Sequence, residues 1–364
     1  MPLIVDGGLI STRWAEKKEM RPALLPQGQD FDANCLRIAF INNMPDPALE
    51  DTEMQFCNLL DTAAVDVQVL LKLYCLPEVP RGVRAQQHIN KFYFDIKDLW
   101  NSAFDGVIIT GTEPKQRNLR EEPYWGTLAS VLDWAQRNTS SAVLSCLAAH
   151  ASVLHNDGIG RHALADKQFG VFDYGKPCTH PLTNGTSSVV SIPHSRWNEV
   201  REDELRACGY LTLTKSAETG VDLFVKGMGK SLFVHFQGHP EYGTHTLMKE
   251  YRRDIRRYLT RERETYPSMP HGYFEPESAK RLNEFRETSL LHRDEKLLAV
   301  FPAEVVETVK NSWHSSANHL YCNWLQYLEL RKTRIVSRGM IATAPGDGIG
   351  DRESSLRSPA KGAI

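Results

Sequence analysis

The chain has 364 residues, 41% of them hydrophobic and 24% charged, with a formal net charge of −2. That is the balance of a globular protein long enough for one large domain or two ordinary ones. It gives no electrostatic case for nucleic acid or an anionic membrane surface, and no apolar run approaches the length of a membrane span.

The first 20 residues lack the basic start and long apolar core of a secretion signal, so a cytoplasmic protein is expected. The seven cysteines (Cys35, Cys57, Cys75, Cys146, Cys178, Cys208 and Cys322) are odd in number and scattered, with no CxxC pair. This argues against a disulfide framework and against a cysteine-built zinc site.

Residues 1–35 read as a loosely packed N-terminal extension. Residues 36–43, LRIAFINN, form an apolar run expected to be a buried strand. Asp46 is expected to cap the next helix with Pro47 at its first position; Leu49, Met54, Cys57 and Leu60 then fall near one face. Further strands are expected over 65–74, 104–111 and 141–146, an amphipathic helix over 122–138, and a helix over 147–156. Strands alternating with helices imply βαβ units, hence an α/β protein with a parallel sheet flanked by helices. Active sites in such sheets lie at the carboxyl ends of the strands, where Gly111 and Cys146 fall. Residues 165–240 look richer in β structure, the chain from 244 onward turns helical and charged, and 317–333 form a final amphipathic helix. The tail, 336–364, is rich in Gly, Ser, Pro and charge and is expected to be disordered.

Cys146 ends an apolar strand just before an Ala-rich helix. A thiol nucleophile there needs a base, and the base needs an orienting partner. His239 and Glu241, two residues apart after another apolar strand, supply that pair; His235 nearby reads as structural. The backbone N–H groups of Leu147 and Gly111 are the candidate oxyanion donors, and the helix N-terminus would lower the thiol pKa. Spacing alone leaves open a buried structural cysteine and a surface His–Glu ion pair.

Seven pieces in a fixed order carry a resemblance: LRIAFINNMP; FDGVIITGTEP with EPYW soon after; AVLSCLAAHA; DKQFGVFDY; IPHSRWNEV; GHPEYGTHTLMKEYRRD; and NWLQYL. From about Leu36 to Lys332 the chain resembles the homoserine O-acyltransferases of methionine biosynthesis. The resemblance implies a class I glutamine amidotransferase-like fold: a flavodoxin-like parallel sheet flanked by helices, with a helical C-terminal part. It implies an acyltransferase domain over 36–335, in which 275–310 is longer than the family segment and reads as an insertion covering the cleft or building a subunit contact. By the family pattern Cys146 is the acyl-accepting nucleophile, with His239 its base and Glu241 the partner of the base. Lys167 and Ser195 fall where substrate is held, and Arg253 where the homoserine carboxylate is bound. Lys115 occupies the position tied in the family to donor choice, where small residues go with succinyl transfer and Glu with acetyl transfer. A lysine suits the free carboxylate of a succinyl group, against the alternative of a solvated loop lysine. The chain departs from the family pattern after its cysteine, where Leu147 and Ala148 replace a bulky aromatic and a glycine, and in TGTEP, where the family has TGAP.

The resulting expectation is succinyl transfer from succinyl-CoA to the hydroxyl of L-homoserine through a cysteine acyl-enzyme. Small-molecule substrates only, no metal or bound cofactor, and a homodimer are expected with it. The alternatives are an acetyl-CoA donor or serine-like acceptor, a glutamine amidotransferase-like hydrolase, and a non-catalytic binding protein on the same fold.

Overall fold

In the computed structural model, residues 3–6 and 35–343 are described, the side chains of the last helix as far as residue 334. The strands are β1 (Leu3–Val5), β2 (Leu36–Ile41), β3 (Val69–Tyr74), β4 (Gly106–Thr110), β5 (Ser141–Ser145), β6 (His162–Gly175), β7 (Val189–Glu199), β8 (Leu211–Thr212), β9 (Lys215–Ser216), β10 (Gly220–Val221), β11 (Leu223–Met228) and β12 (Ser231–Phe236). The helices are α1 (Asp46–Ala63), α2 (Val83–Phe92), α3 (Ile96–Leu99), α4 (Trp125–Asn138), α5 (Leu147–Asp157), α6 (Glu202–Ala207), α7 (Thr246–Leu259), α8 (Pro276–Leu291) and α9 (His314–Thr343).

Apolar side chains on both faces make a strand stable only where both faces are covered. In β2, Leu36, Ile38 and Phe40 enter a core with Phe56 and Leu60 of α1 and Tyr321, Trp324 and Leu328 of α9. The alternate residues Ala39 and Ile41 enter a second core with Leu128, Val131 and Leu132 of α4 and Ala148 and Ala149 of α5. β4 and β5 divide the same way: Ile108 and Val143 lie on the first side, Val107, Ile109, Ala142 and Leu144 on the second. The principal sheet runs β1-β3-β2-β4-β5-β12-β11-β8. Its first six strands are parallel, and β11 and β8 add an antiparallel edge. The central order β3-β2-β4-β5-β12 is the flavodoxin-like 2-1-3-4-5 arrangement, as expected from the sequence.

A second, antiparallel sheet, β10-β9-β6-β7, carries Lys167 on β6 and Ser195 on β7. Its Phe172, Tyr174, Val190 and Ile192 join the first core. A third core forms on α7, where Tyr251 and Ile255 meet Leu282, Phe285, Phe301 and Val305. Residues 275–310 thus buttress the helix that carries Arg253. Among the described residues no helix is long and apolar enough to cross a membrane.

Three expectations are corrected. Leu3–Val5, placed by sequence in a loose extension, forms β1, with Leu3 and Val5 buried and in parallel register with β3. Asp46 does not cap α1, because the helix already includes it; its carboxylate instead accepts from the Gly82 amide at 2.7 Å and pairs with Arg81 at 3.3 Å. The final helix runs to Thr343, past the expected start of disorder at 336, and 344–364 lie outside the described residues.

Trp324 fixes α9 on the sheet. It is buried, its Nε1 donates to Ser141 Oγ at 2.9 Å, and a Cβ on Gly106 would come within 3.0 Å of its ring and 2.8 Å of Leu328. Removing the indole leaves a cavity under the last helix. Urea unfolding of Trp324→Ala is expected to show a loss of roughly 3–5 kcal/mol; a loss under ~1 kcal/mol would mean that α9 does not close the core.

Candidate active site

The parallel register aligns Thr110 of β4, Ser145 of β5 and Phe236 of β12 in one row at the carboxyl edge. One residue past that row stand Gly111 and Cys146, and His239 follows three residues after Phe236. The Cys146 amide donates to the Phe236 carbonyl at 2.8 Å, and α5 begins at the next residue. This abrupt strand-to-helix turn forces Cys146 to φ 53°, ψ −110°, where a side-chain-bearing residue is strained by ~1–3 kcal/mol. The turn lifts the thiol out of the core, and Cys146 is only partly buried.

Gly111 shows why a glycine ends β4. A Cβ there would lie 2.5 Å from Leu147 Cβ and 3.0 Å from Leu147 N. Bare backbone lets the Gly111 and Leu147 segments touch. The Leu147 amide is in the first helical turn, where N–H groups lack an intrahelical acceptor. Ala148, in place of the family's glycine, is buried without disturbing this turn.

His239 Nδ1 donates to Glu241 Oε1 at 2.8 Å, and the imidazole stands within electrostatic reach of the Cys146 side chain. With Nδ1 taken by Glu241, Nε2 is the nitrogen left for the thiol. Ser145 Oγ donates to the same Glu241 oxygen at 3.3 Å, the His239 ring stacks on Tyr242 at 4.3 Å, and the His239 amide is tied to the Pro193 carbonyl at 2.8 Å. Burial would push the imidazole pKa down, but negative charge at Cys146 and Glu241 outweighs it and raises that pKa well above the ordinary value. His235, read as structural, is buried, stacked on Phe224 at 4.7 Å and 3.1 Å from Ser152 Oγ; burial pushes its pKa to about 3.

Lys167, Ser195 and Arg253 come together on a residue that sequence reasoning missed, Glu250. Ser195 Oγ donates to Glu250 Oε2 at 2.5 Å, Tyr242 OH donates to Oε1 at 2.8 Å, and Lys167 Nζ and Arg253 Nη2 lie 3.6 and 3.8 Å from Oε2. Asp254 holds Arg253 Nε at 3.0 Å and Lys167 at 3.7 Å. Tyr242 therefore links this polar cluster to the His239 imidazole. Within KEYRRD, Glu250 looks like one more charge on a solvated helix, although it lies one helical turn before Asp254 and just before Arg253.

Lys115 does not join that cluster. It lies exposed on the loop after β4, where its backbone amide and that of Gln116 donate to Glu122 Oε1 at 2.5 and 2.6 Å. Arg161, also missed, holds the other side of the loop by donating to the carbonyls of Gln116 and Arg117 at 3.0 and 3.1 Å. Among the described residues, no group of three or more His, Cys, Asp or Glu side chains is placed to hold a metal ion. The arrangement is a thiol, an oriented imidazole and two backbone segments, at Gly111 and Leu147, in close approach near a buried polar cluster, which is equipment for acyl transfer.

Residues 2–335 match the family model for homoserine O-succinyltransferase. The homoserine O-succinyltransferase of Bradyrhizobium japonicum is 43% identical over 332 residues, covering 90% of this chain and 99% of that one. That of Methylorubrum extorquens is 43% identical over 292 residues, covering 80% and 86%. Among solved structures, a glutamine amidotransferase of Thermotoga maritima is similar with a TM-score of 0.46 at 10% identity, covering 81% of this chain and 98% of that one. With a family match spanning the sheet, the thiol turn and the polar cluster alike, the chain belongs to the homoserine O-succinyltransferase family.

Proposed function

We propose that this chain transfers a succinyl group from succinyl-CoA to the hydroxyl of L-homoserine through a thioester on Cys146. The observation that carries the reading is that Cys146 and an imidazole fixed by Glu241 sit just past the ends of the adjacent strands β5 and β12, where the Gly111 and Leu147 backbones also approach closely. Family membership supplies the substrates.

In the first half-reaction the Cys146 thiolate attacks the thioester carbonyl. The Gly111 and Leu147 N–H groups stabilise the oxyanion. The carbon–sulfur bond to CoA breaks, and CoA leaves as a thiol with the proton from His239. In the second, the homoserine hydroxyl gives its proton to His239 Nε2 and attacks the Cys146 thioester, and the thiolate departs. Arg253 receives the homoserine carboxylate as a two-pronged donor. Glu250, beside it and beside Ser195, faces the α-ammonium. No metal or bound cofactor enters these steps. The reading includes a homodimer, checked by light scattering, and a cytoplasmic setting, where seven free cysteines stay reduced.

Intact-mass measurement after mixing with succinyl-CoA is expected to show one succinyl group on the protein and none on Cys146→Ala. Homoserine should discharge it, whereas glutamine hydrolysis without CoA would replace this reading with an amidotransferase-like one. A second expectation concerns pH. In the acyl-enzyme Cys146 is uncharged, so Glu241 is the charge that still raises the His239 pKa. The second half-reaction needs neutral His239, so its rate rises with pH through that pKa. Glu241→Gln lowers the pKa, so the acid limb of the kcat/KM profile for homoserine should move to lower pH while kcat falls by at least ~10-fold. A limb that stays in place would remove Glu241 from this role.

A further inference from the structure

Arg161 lies in the turn between α5 and β6, half-buried, and its guanidinium reaches across to the loop that follows Gly111. Nη2 spends its hydrogens on the carbonyls of Gln116 and Arg117. That leaves the N–H groups of Nε and Nη1. Burial lowers the pKa of this guanidinium against opposing influences from Tyr124, Glu122 and Cys146, so it stands within electrostatic reach of the nucleophile.

The other cations of the cleft are committed. Lys167 and Arg253 share Glu250 and Asp254, and Arg257 and Arg263 also pair with Asp254. Among the described residues, no carboxylate forms an ion pair with Arg161. Glu122 acts on it only from beyond ion-pair distance and is itself engaged by the Lys115 and Gln116 amides, so this partly desolvated cation is left able to receive an anion. A succinyl donor brings such an anion: it differs from an acetyl donor by a free carboxylate at the far end of a short chain, suited to a planar guanidinium. Lys115, the sequence-based candidate for this contact, is exposed, and its backbone rather than its ammonium is held by Glu122.

We propose that Arg161 binds the distal carboxylate of the acyl donor and selects a succinyl-type thioester over acetyl-CoA. This rests on the acyl-transfer reading above, and the two separate experimentally. Wild type, Arg161→Gln and Arg161→Lys would be given succinyl-CoA, its distal methyl ester and acetyl-CoA, with acyl-enzyme mass and kcat/KM as readouts and circular dichroism to confirm folding. Wild type should prefer succinyl-CoA to both uncharged donors. Arg161→Gln should lose roughly 30-fold or more with succinyl-CoA and change less than ~3-fold with the other two, while Arg161→Lys retains part of the preference. Equal losses with all donors would make Arg161 only a brace for the loop. An unaltered preference in Arg161→Gln, or a wild type indifferent to the distal charge, would overturn the assignment; the wild-type comparison decides even if both variants misfold. Failure of every donor to acylate wild-type Cys146 would instead remove the acyl-transfer reading itself.

Discussion

The bond from the Cys146 amide to the Phe236 carbonyl holds a strained residue at the seam between β5 and β12. A nucleophile needs an exposed sulfur and a fixed direction, and an ordinary strand residue offers neither. Parallel pairing supplies the restraint: β4 and β12 flank β5 in register, so the backbone on either side of Cys146 cannot relax. Gly111 occupies the one place where a side chain would collide with the start of α5. The strain at Cys146, the absent side chain at Gly111 and the close approach of the Gly111 and Leu147 backbones are three results of one geometrical demand.

The polar cleft follows a different rule. Glu250 and Asp254 gather Lys167 from a neighbouring strand, Arg253 and Arg257 from α7 and Arg263 from the bend after it, and several of these groups are shielded from water. Such clusters hold their shape through mutual compensation, so each charge has a limited choice of positions. Tyr242 joins the cluster to His239 by stacking on the imidazole and donating to Glu250. The residues proposed to receive the acceptor and the imidazole proposed to deprotonate it are thereby parts of one packed unit, with α8 and residues 295–308 supporting it from outside.

The central strands were legible because their apolar residues alternate between two covered faces, a pattern written directly in the chain. α2 was not: of its few apolar residues only Ala85 and Ile89 are buried, and it buries His88 against Glu53 beside them. β1 was invisible because three residues carry no period. Cys146 stood out at its strand-to-helix turn and His239, 93 positions away, as its candidate base, but spacing left a buried cysteine and a surface ion pair open; the β5–β12 adjacency is what brings the two segments together. Lys115 drew notice by its position in a motif, whereas Arg161 and Glu250 did not, since a lone basic residue in a turn and one acid in a charged helix have no local signature. What distinguishes them is which long-range partners they have or lack.

The covering of the sheet by α9 has a bearing on how the chain is made. Tyr321, Trp324 and Leu328 complete the first core, and Lys332 donates to the carbonyl of Cys35 and to Asp105. During translation the strands from β2 to β12 leave the ribosome with one apolar face covered only in part, by α1 and the second sheet, and the remainder stays open until nearly a hundred more residues have been added. The nascent polypeptide must be kept from self-association through that interval, and products released early would present a sticky, uncapped surface to chaperones and proteases.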